Sequence, residues 1–263
     1  MNTNTDVLFI SHGGGPMPLL EDPGHSEMLD RLTEIAATLR KPSAILVISA
    51  HWEESVPTIT SGTNPSLIYD YYGFTPESYE IRYPCPGEPA LAVQIHEALR
   101  QAGISARLDD KRGFDHGLFV PLKLMYPQAD IPCVQLSLVS TLDASTHLAI
   151  GRALQALDYD NLLVIGSGFS FHNMRAFFAP NTPEIQTSNE AFEDWLEETC
   201  TDAGMEESER LTHWDRAPYA RLCHPREEHL LPLHVCYGLA EKPSDSHISA
   251  TILGKKSGMF YWG

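Results

Sequence analysis

A single α/β domain, with a central, largely parallel or mixed sheet flanked by helices, is what this sequence predicts. Three observations carry that expectation. Short apolar runs of strand length recur along the chain, amphipathic stripes at helical spacing fall between them, and no repeat or low-complexity linker divides the 263 residues. One catalytic domain spanning residues 1–263 is the economical reading.

In chain order, residues 7–10 (Val-Leu-Phe-Ile) form the first strand-like run. Met28, Leu32, Ile35 and Leu39 then recur at intervals of four, three and four, an amphipathic helix. Residues 44–49 read as a second buried strand. Residues 58–89 break the rhythm: five prolines stand among Tyr69, Tyr71, Tyr72, Phe74, Tyr79 and Tyr83. A flexible linker would be rich in small polar residues, so these aromatics predict an ordered excursion that packs on the sheet or lines a pocket. Leu91, Ile95, Ala98 and Leu99 form the next helical stripe, followed by a strand at 134–139, a helix carrying Ile150, Leu154 and Leu157, and a strand at 162–166. Phe192, Trp195 and Leu196 mark another helix, and Leu231, Val235 and Leu239 keep strict i, i+4 spacing. The acidic run Glu206-Glu207-Ser208-Glu209 reads as a solvated helix or turn without a function. Runs at 248–253 and 259–262 predict a closing hairpin joined by residues 254–258.

Composition narrows the function. Lys and Arg number 18 against 35 Asp and Glu, a formal charge of −17, which repels the phosphate backbone and argues against a nucleic-acid partner. Five cysteines, Cys85, Cys133, Cys200, Cys223 and Cys236, form no C-x-x-C pair and sit mostly in apolar patterns; they read as reduced, buried thiols of a cytoplasmic protein. The opening residues lead straight into the first strand run with no basic and apolar leader, so no signal peptide is expected. No apolar run approaches the about 18 to 20 residues that cross a bilayer, so no membrane partner is expected.

Twelve histidines are the unusual feature. Four share a context: Ser11-His12-Gly13-Gly14-Gly15-Pro16, Ser49-Ala50-His51-Trp52, Phe171-His172-Asn173 and Glu228-His229-Leu230-Leu231-Pro232. The first three follow strand runs. Ligands of open α/β sheets collect beyond the carboxyl ends of strands, so His12, His51 and His172 can converge although distant in sequence. Neutral imidazoles meeting at one point make a site for zinc or iron. His25, His96, His147, His213 and His247 lie in helical, loop or surface patterns and read as structural, and His224 and His234, flanking His229, are the easiest to misassign. The turn at Gly13-Gly14-Gly15 lacks the Gly-Lys-Ser/Thr ending of a phosphate loop. Its glycines let the backbone pass close to a ligand behind His12. Gly166-Ser167-Gly168 lacks the G-x-S-x-G frame of a serine hydrolase.

Together, S-H-G-G-G-P around His12, S-A-H-W around His51, Gly113-Phe114-Asp115-His116-Gly117, the stretch 166–173 and Glu228-His229-Leu230-Leu231-Pro232 make a combination that resembles the class III extradiol ring-cleavage dioxygenases of the LigB superfamily. The DOPA 4,5-dioxygenase-like branch is the most similar. The resemblance implies that His12, His51 and His229 are the metal ligands. It gives His172 the acid/base role, with approach to the metal as a fourth ligand in zinc-loaded members, and makes His116 a second pocket histidine. Many class III enzymes complete the site with a glutamate; here His229 takes that place, and Glu228 is a poor substitute if the segment is helical, because adjacent helical side chains diverge by about 100°. Exchanging carboxylate for imidazole removes a negative charge and makes zinc loading plausible beside catalytic Fe(II).

The activity so implied is opening of a DOPA-like or related catechol ring with O2, with His172 moving a proton and His116 hydrogen-bonding the substrate or oxygen. Imidazole, titrating near about 6.5, suits two-way proton transfer at neutral pH. Two rivals use the same histidines: a zinc hydrolase of an amide or ester, which needs no oxygen, and a non-catalytic binding protein.

Overall fold

The structure is a computed structural model that describes residues 5–202 and 207–263. In chain order its elements are β1 (Thr5–Ser11), α1 (Ser26–Thr38), β2 (Ala44–Glu54), β3 (Thr58–Thr60), α2 (Pro89–Gln101), β4 (Arg107–Asp109), α3 (His116–Met125), β5 (Cys133–Val139), α4 (Ala144–Leu154), β6 (Leu162–Gly168), α5 (Met174–Phe178), α6 (Pro183–Thr201), α7 (Glu207–Thr212), α8 (Ala220–Cys223), α9 (Leu231–Ala240), β7 (Ser246–Ile252) and β8 (Lys255–Trp262). The strands form one mixed sheet in the order β4-β3-β5-β2-β6-β1-β8-β7. Its centre is parallel, β5 beside β2, β2 beside β6 and β6 beside β1. Antiparallel pairing enters where β8 meets β1 and β7, and at the single β3–β5 pairing, Ile59 with Leu136. The predicted α/β class and flanked mixed sheet are therefore present.

Central strands buried on both faces read as continuous apolar runs rather than alternating ones. Alternate residues nonetheless feed two cores: Val7, Phe9, Leu46 and Val164 pack with α2, α4, α6 and α9 on one face, while Leu8, Ile10, Val47 and Ile165 pack with α1, α3 and the aromatic segment on the other. Among the described residues no helix is long and apolar enough to cross a membrane. All five cysteines are buried and form no disulfide among the described residues, as expected.

Two local expectations need correction, and a third is met where it can be described. The hairpin turns at Leu253-Gly254, both at positive φ, rather than over 254–258, because Lys255 already belongs to β8 and is buried with its Nζ on Asn181 Oδ1. Leu39 and Leu157 lie just past the ends of α1 and α4 although they fit the stripes. Within the acidic run, Ser208 and Glu209 are on α7, while Glu206 falls outside the described residues.

Buried ionisable groups give the fold a pH signature. Burial pushes His147 down to about 4 and His224 down to about 3. His147 Nδ1 donates to the Asp143 carbonyl, and its Nε2 accepts the Val139 N–H. Glu193, buried on α6, is pushed up to about 8. The unfolded chain protonates histidine near about 6.5. Below that pH it therefore binds more protons than the native state, and stability is lost as pH falls. For Glu193 the native state keeps a proton that the unfolded chain has released, so stability is lost as pH rises toward about 8. With the other buried histidines adding to the acid side, stability should pass through a maximum between about pH 6.5 and 8 in urea melts of the metal-free protein. Glu193→Gln should flatten the alkaline side, a slope of at most about 1.4 kcal/mol per pH unit; an unchanged slope would show that Glu193 is not its source.

Candidate active site

The carboxyl ends of β1, β6 and β2 are neighbours in the sheet, and three of the predicted histidines leave from them. His12 follows β1 directly, with its N–H donating to the Gly168 carbonyl. His51 sits in an irregularity of β2 between Ser49 and Glu53, where pairing with β5 lapses. Such a bulge turns a side chain out of the alternation of its strand. His172 lies four residues beyond β6, and its N–H donates to the Cys223 carbonyl.

His229 arrives from outside the sheet. Its carbonyl accepts the Phe169 N–H, which holds the segment before α9 against the end of β6. That approach needs Gly168, where a Cβ would collide with the His229 carbonyl oxygen. The pattern Gly166-Ser167-Gly168 thus serves close packing.

His51 Nε2 lies 3.0 Å from His12 Nε2 and 3.3 Å from His229 Nε2. The other ring nitrogens show who holds the protons. Ser167 Oγ donates to the Gly117 carbonyl, so it accepts at His12 Nδ1, 3.0 Å away. Glu228 Oε1, which only accepts, lies 2.9 Å from His229 Nδ1. Both rings therefore present a bare lone pair at Nε2. At most one proton, on His51, remains for the two contacts among three nitrogens.

Burial, with neighbouring imidazoles adding repulsion, holds His12 and His51 well below the ordinary histidine range and His229 down to about 3, so a proton does not rescue the cluster. A cation does: nitrogens around one tetrahedral ion stand about 3.3 Å apart. The donor set fits a divalent metal held by His12, His51 and His229.

Two carboxylates complete the surroundings. Asp70, from the aromatic segment, accepts from His116 Nδ1 at 2.8 Å and from the His116 N–H at 3.0 Å, and its other oxygen lies 3.7 Å from His51 Nδ1. Burial would raise Asp70, but the hydrogen bond and charge of His116 outweigh it and hold the carboxyl low. Glu228 lies 3.3 Å from His172 Nδ1 and pairs with Arg226 at the same distance. Burial opposes its ionisation too, and the bonds from His172 and His229 overcome it.

Glu228 stands outside α9. The helix begins only at Leu231, so Glu228 is free to turn onto its neighbour and supports His229. His172 stacks on His229, ring centres 3.4 Å apart and planes 17° from parallel. Potential ligand atoms of His172, Glu228 and His229, one from each, lie within 4.8 Å of one another.

His116 begins α3 behind Asp115, its ring 3.8 Å from that of His51. His224 and His234 bond to backbone carbonyls of Ser170 and of Leu211 and Leu230, away from the cluster. His25 backs the glycine turn, its Nε2 accepting the Gly14 N–H. Over the histidines lies a cavity of about 320 Å³, walled in part by Tyr71, Tyr72 and Phe74. Tyr69 and Tyr83 instead anchor the excursion, their hydroxyls on the carbonyls of Ile81 and Tyr126. Both readings of the aromatic segment hold, each for different residues.

Residues 6–260 match the family described as the catalytic LigB subunit of aromatic ring-opening dioxygenase. The chain belongs to the LigB family. Among curated relatives, dioxygenase tasH of Hapsidospora irregularis is 40% identical over 98% of this chain and 85% of its own. The 4,5-DOPA dioxygenase extradiol of Beta vulgaris is 39% identical over 92% and 90%. The crystal structure of an uncharacterized Escherichia coli K12 protein, JW3007, superposes with a TM-score of 0.78 at 30% identity, covering 98% of this chain and 99% of that one. This LigB-family chain is thus a ring-opening dioxygenase of a metal-dependent family, and its histidine cluster lies where the strand ends meet.

Proposed function

We propose that this protein is a cytoplasmic, iron-dependent extradiol dioxygenase acting on a catechol-type substrate, with residues 1–263 as one catalytic domain. The observation that carries the reading is the convergence of the Nε2 atoms of His12, His51 and His229, within 3.0 and 3.3 Å of one another through His51, at the floor of a cavity sized for one aromatic ring. A ferrous ion held there supplies redox chemistry toward O2 that zinc lacks.

The remaining steps belong to side chains. His172, with Nδ1 against Glu228, takes a catechol hydroxyl proton on its other nitrogen and returns it as the ring opens. Glu228 stabilises the imidazolium in between, as a buried carboxylate does for a general base. His116, its Nδ1–H committed to Asp70, keeps Nε2 free to accept a hydrogen bond from substrate. The aromatic walls exclude water and orient the ring.

Oxygen uptake and a yellow ring-opened product are expected when iron-loaded protein meets a catechol, and neither with zinc-loaded protein. Anaerobic cleavage of an ester or amide by the zinc form would instead establish the hydrolase.

A further inference from the structure

The cavity that would receive the catechol has an uneven chemistry. Its floor is polar, formed by the histidines. Above them the walls include Met17, Phe74 and Leu253, and among the described residues no Asp, Glu, Lys or Arg side chain lines the cavity. Tyr71 also faces it, but its hydroxyl is spent on the Ser78 carbonyl at 2.6 Å. At the mouth stand three large apolar residues left in water: Tyr72 is 91% exposed, Phe178 75% and Met174 54%. Side chains of this kind, grouped at the rim of a cavity, mark a surface that an apolar ligand covers.

Charge around the site points the same way. The ionised groups nearest the histidine floor are the carboxylates of Asp70 and Glu228, each bonded to a histidine. Two guanidinium groups, Arg175 and Arg226, line an adjoining depression that shares His172 and Met174 with the cavity. Arg226 is held there by both oxygens of Glu53, at 2.6 and 2.7 Å. A carboxylate carried into the cavity would lose its hydration, meet no cation on the walls and feel two negative neighbours.

We infer that the preferred substrates are catechols bearing an uncharged, apolar substituent, which lies between the cavity walls and under Tyr72, Met174 and Phe178. Catechols bearing a carboxylate, the amino-acid side chain of DOPA included, are disfavoured. This rests on the ring-opening reading above and adds the chemistry of the substituent to it.

The test compares 4-isobutylcatechol with 3,4-dihydroxyphenylacetate, in which a carboxylate replaces an isopropyl group of the same shape, and with L-DOPA. Iron-loaded enzyme is followed by oxygen uptake for kcat/KM, and each compound's affinity is measured anaerobically by calorimetry. The isobutyl compound is expected to exceed both others by about tenfold or more in affinity and in kcat/KM. Equal or better use of the arylacetate or of L-DOPA would overturn the inference and leave ring opening standing. If no compound is opened but the isobutyl compound binds best, the ring-opening reading falls and the cavity preference survives. If none is opened and binding does not discriminate, both fall.

Phe178→Arg probes the mouth directly. This exposed position tolerates the change, and the new guanidinium should narrow the isobutyl-to-arylacetate ratio by about tenfold. An unchanged ratio would show that the substituent does not pass Phe178. Arg175→Ala should leave that ratio alone; a selective loss of arylacetate or L-DOPA use would place their carboxylate on Arg175 and overturn the inference.

Discussion

Replacing His51 with alanine is expected to leave the reconstituted protein almost free of bound metal and without measurable ring opening. His51 is the middle member of the cluster, its Nε2 within 3.3 Å of both other Nε2 atoms. Its loss leaves two imidazoles where three neutral donors converged. Altering residues that merely support ligands costs about 10- to 100-fold in metal affinity, so removal of a ligand should cost more than about 100-fold. His12→Ala and His229→Ala should behave alike, because each presents one lone pair and has its other nitrogen tied to Ser167 or Glu228. Metal content per chain after iron loading and dialysis gives the answer. Full occupancy in all three variants would remove the site from consideration.

His172→Ala should separate metal holding from turnover. It is expected to keep its metal and to lose about 10²- to 10⁴-fold in kcat, the usual share of a positioned acid/base. The reason is that three imidazoles, His12, His51 and His229, converge through Nε2 without it, while His172 stacks on His229 with its Nδ1 against Glu228. Metal loss in His172→Ala as complete as in His12→Ala would make it a fourth ligand. Rate and metal content should be taken from the same preparation.

The sheet and three of the histidines could be read from the sequence for one physical reason. Buried parallel strands are continuous apolar runs, and such runs end where side chains become polar, so His12, His51 and His172 announced their own position. Asp70 gave no comparable signal. It lies in the stretch between β3 and α2, where no periodicity fixes which side chains turn inward, although an aspartate flanked by Tyr69, Tyr71 and Tyr72 was a hint. Ser167 looked like part of a failed hydrolase motif because its role depends on β6 passing beside Gly117, 50 residues away in the chain. Strands β3 and β4 have three residues each, too few for any pattern to register. The contact of Glu228 with His229 depends on the irregular backbone before α9, which lets adjacent side chains meet and which the i, i+4 stripe from Leu231 onward does not reveal.

The placement of β1 bears on how the chain is made. Its two partners are β6 and β8, so Val7 lies beside Val164 on one side and Trp262 on the other. At about 5 to 20 residues per second, synthesis leaves the Val-Leu-Phe-Ile run of β1 without either neighbour for roughly ten to thirty seconds. During that interval an apolar strand with both backbone edges open is available to any other nascent chain. Slow closure across such distances is a hazard that chaperones relieve, and yield on expression should therefore respond to growth temperature and chaperone supply more than native stability alone would indicate.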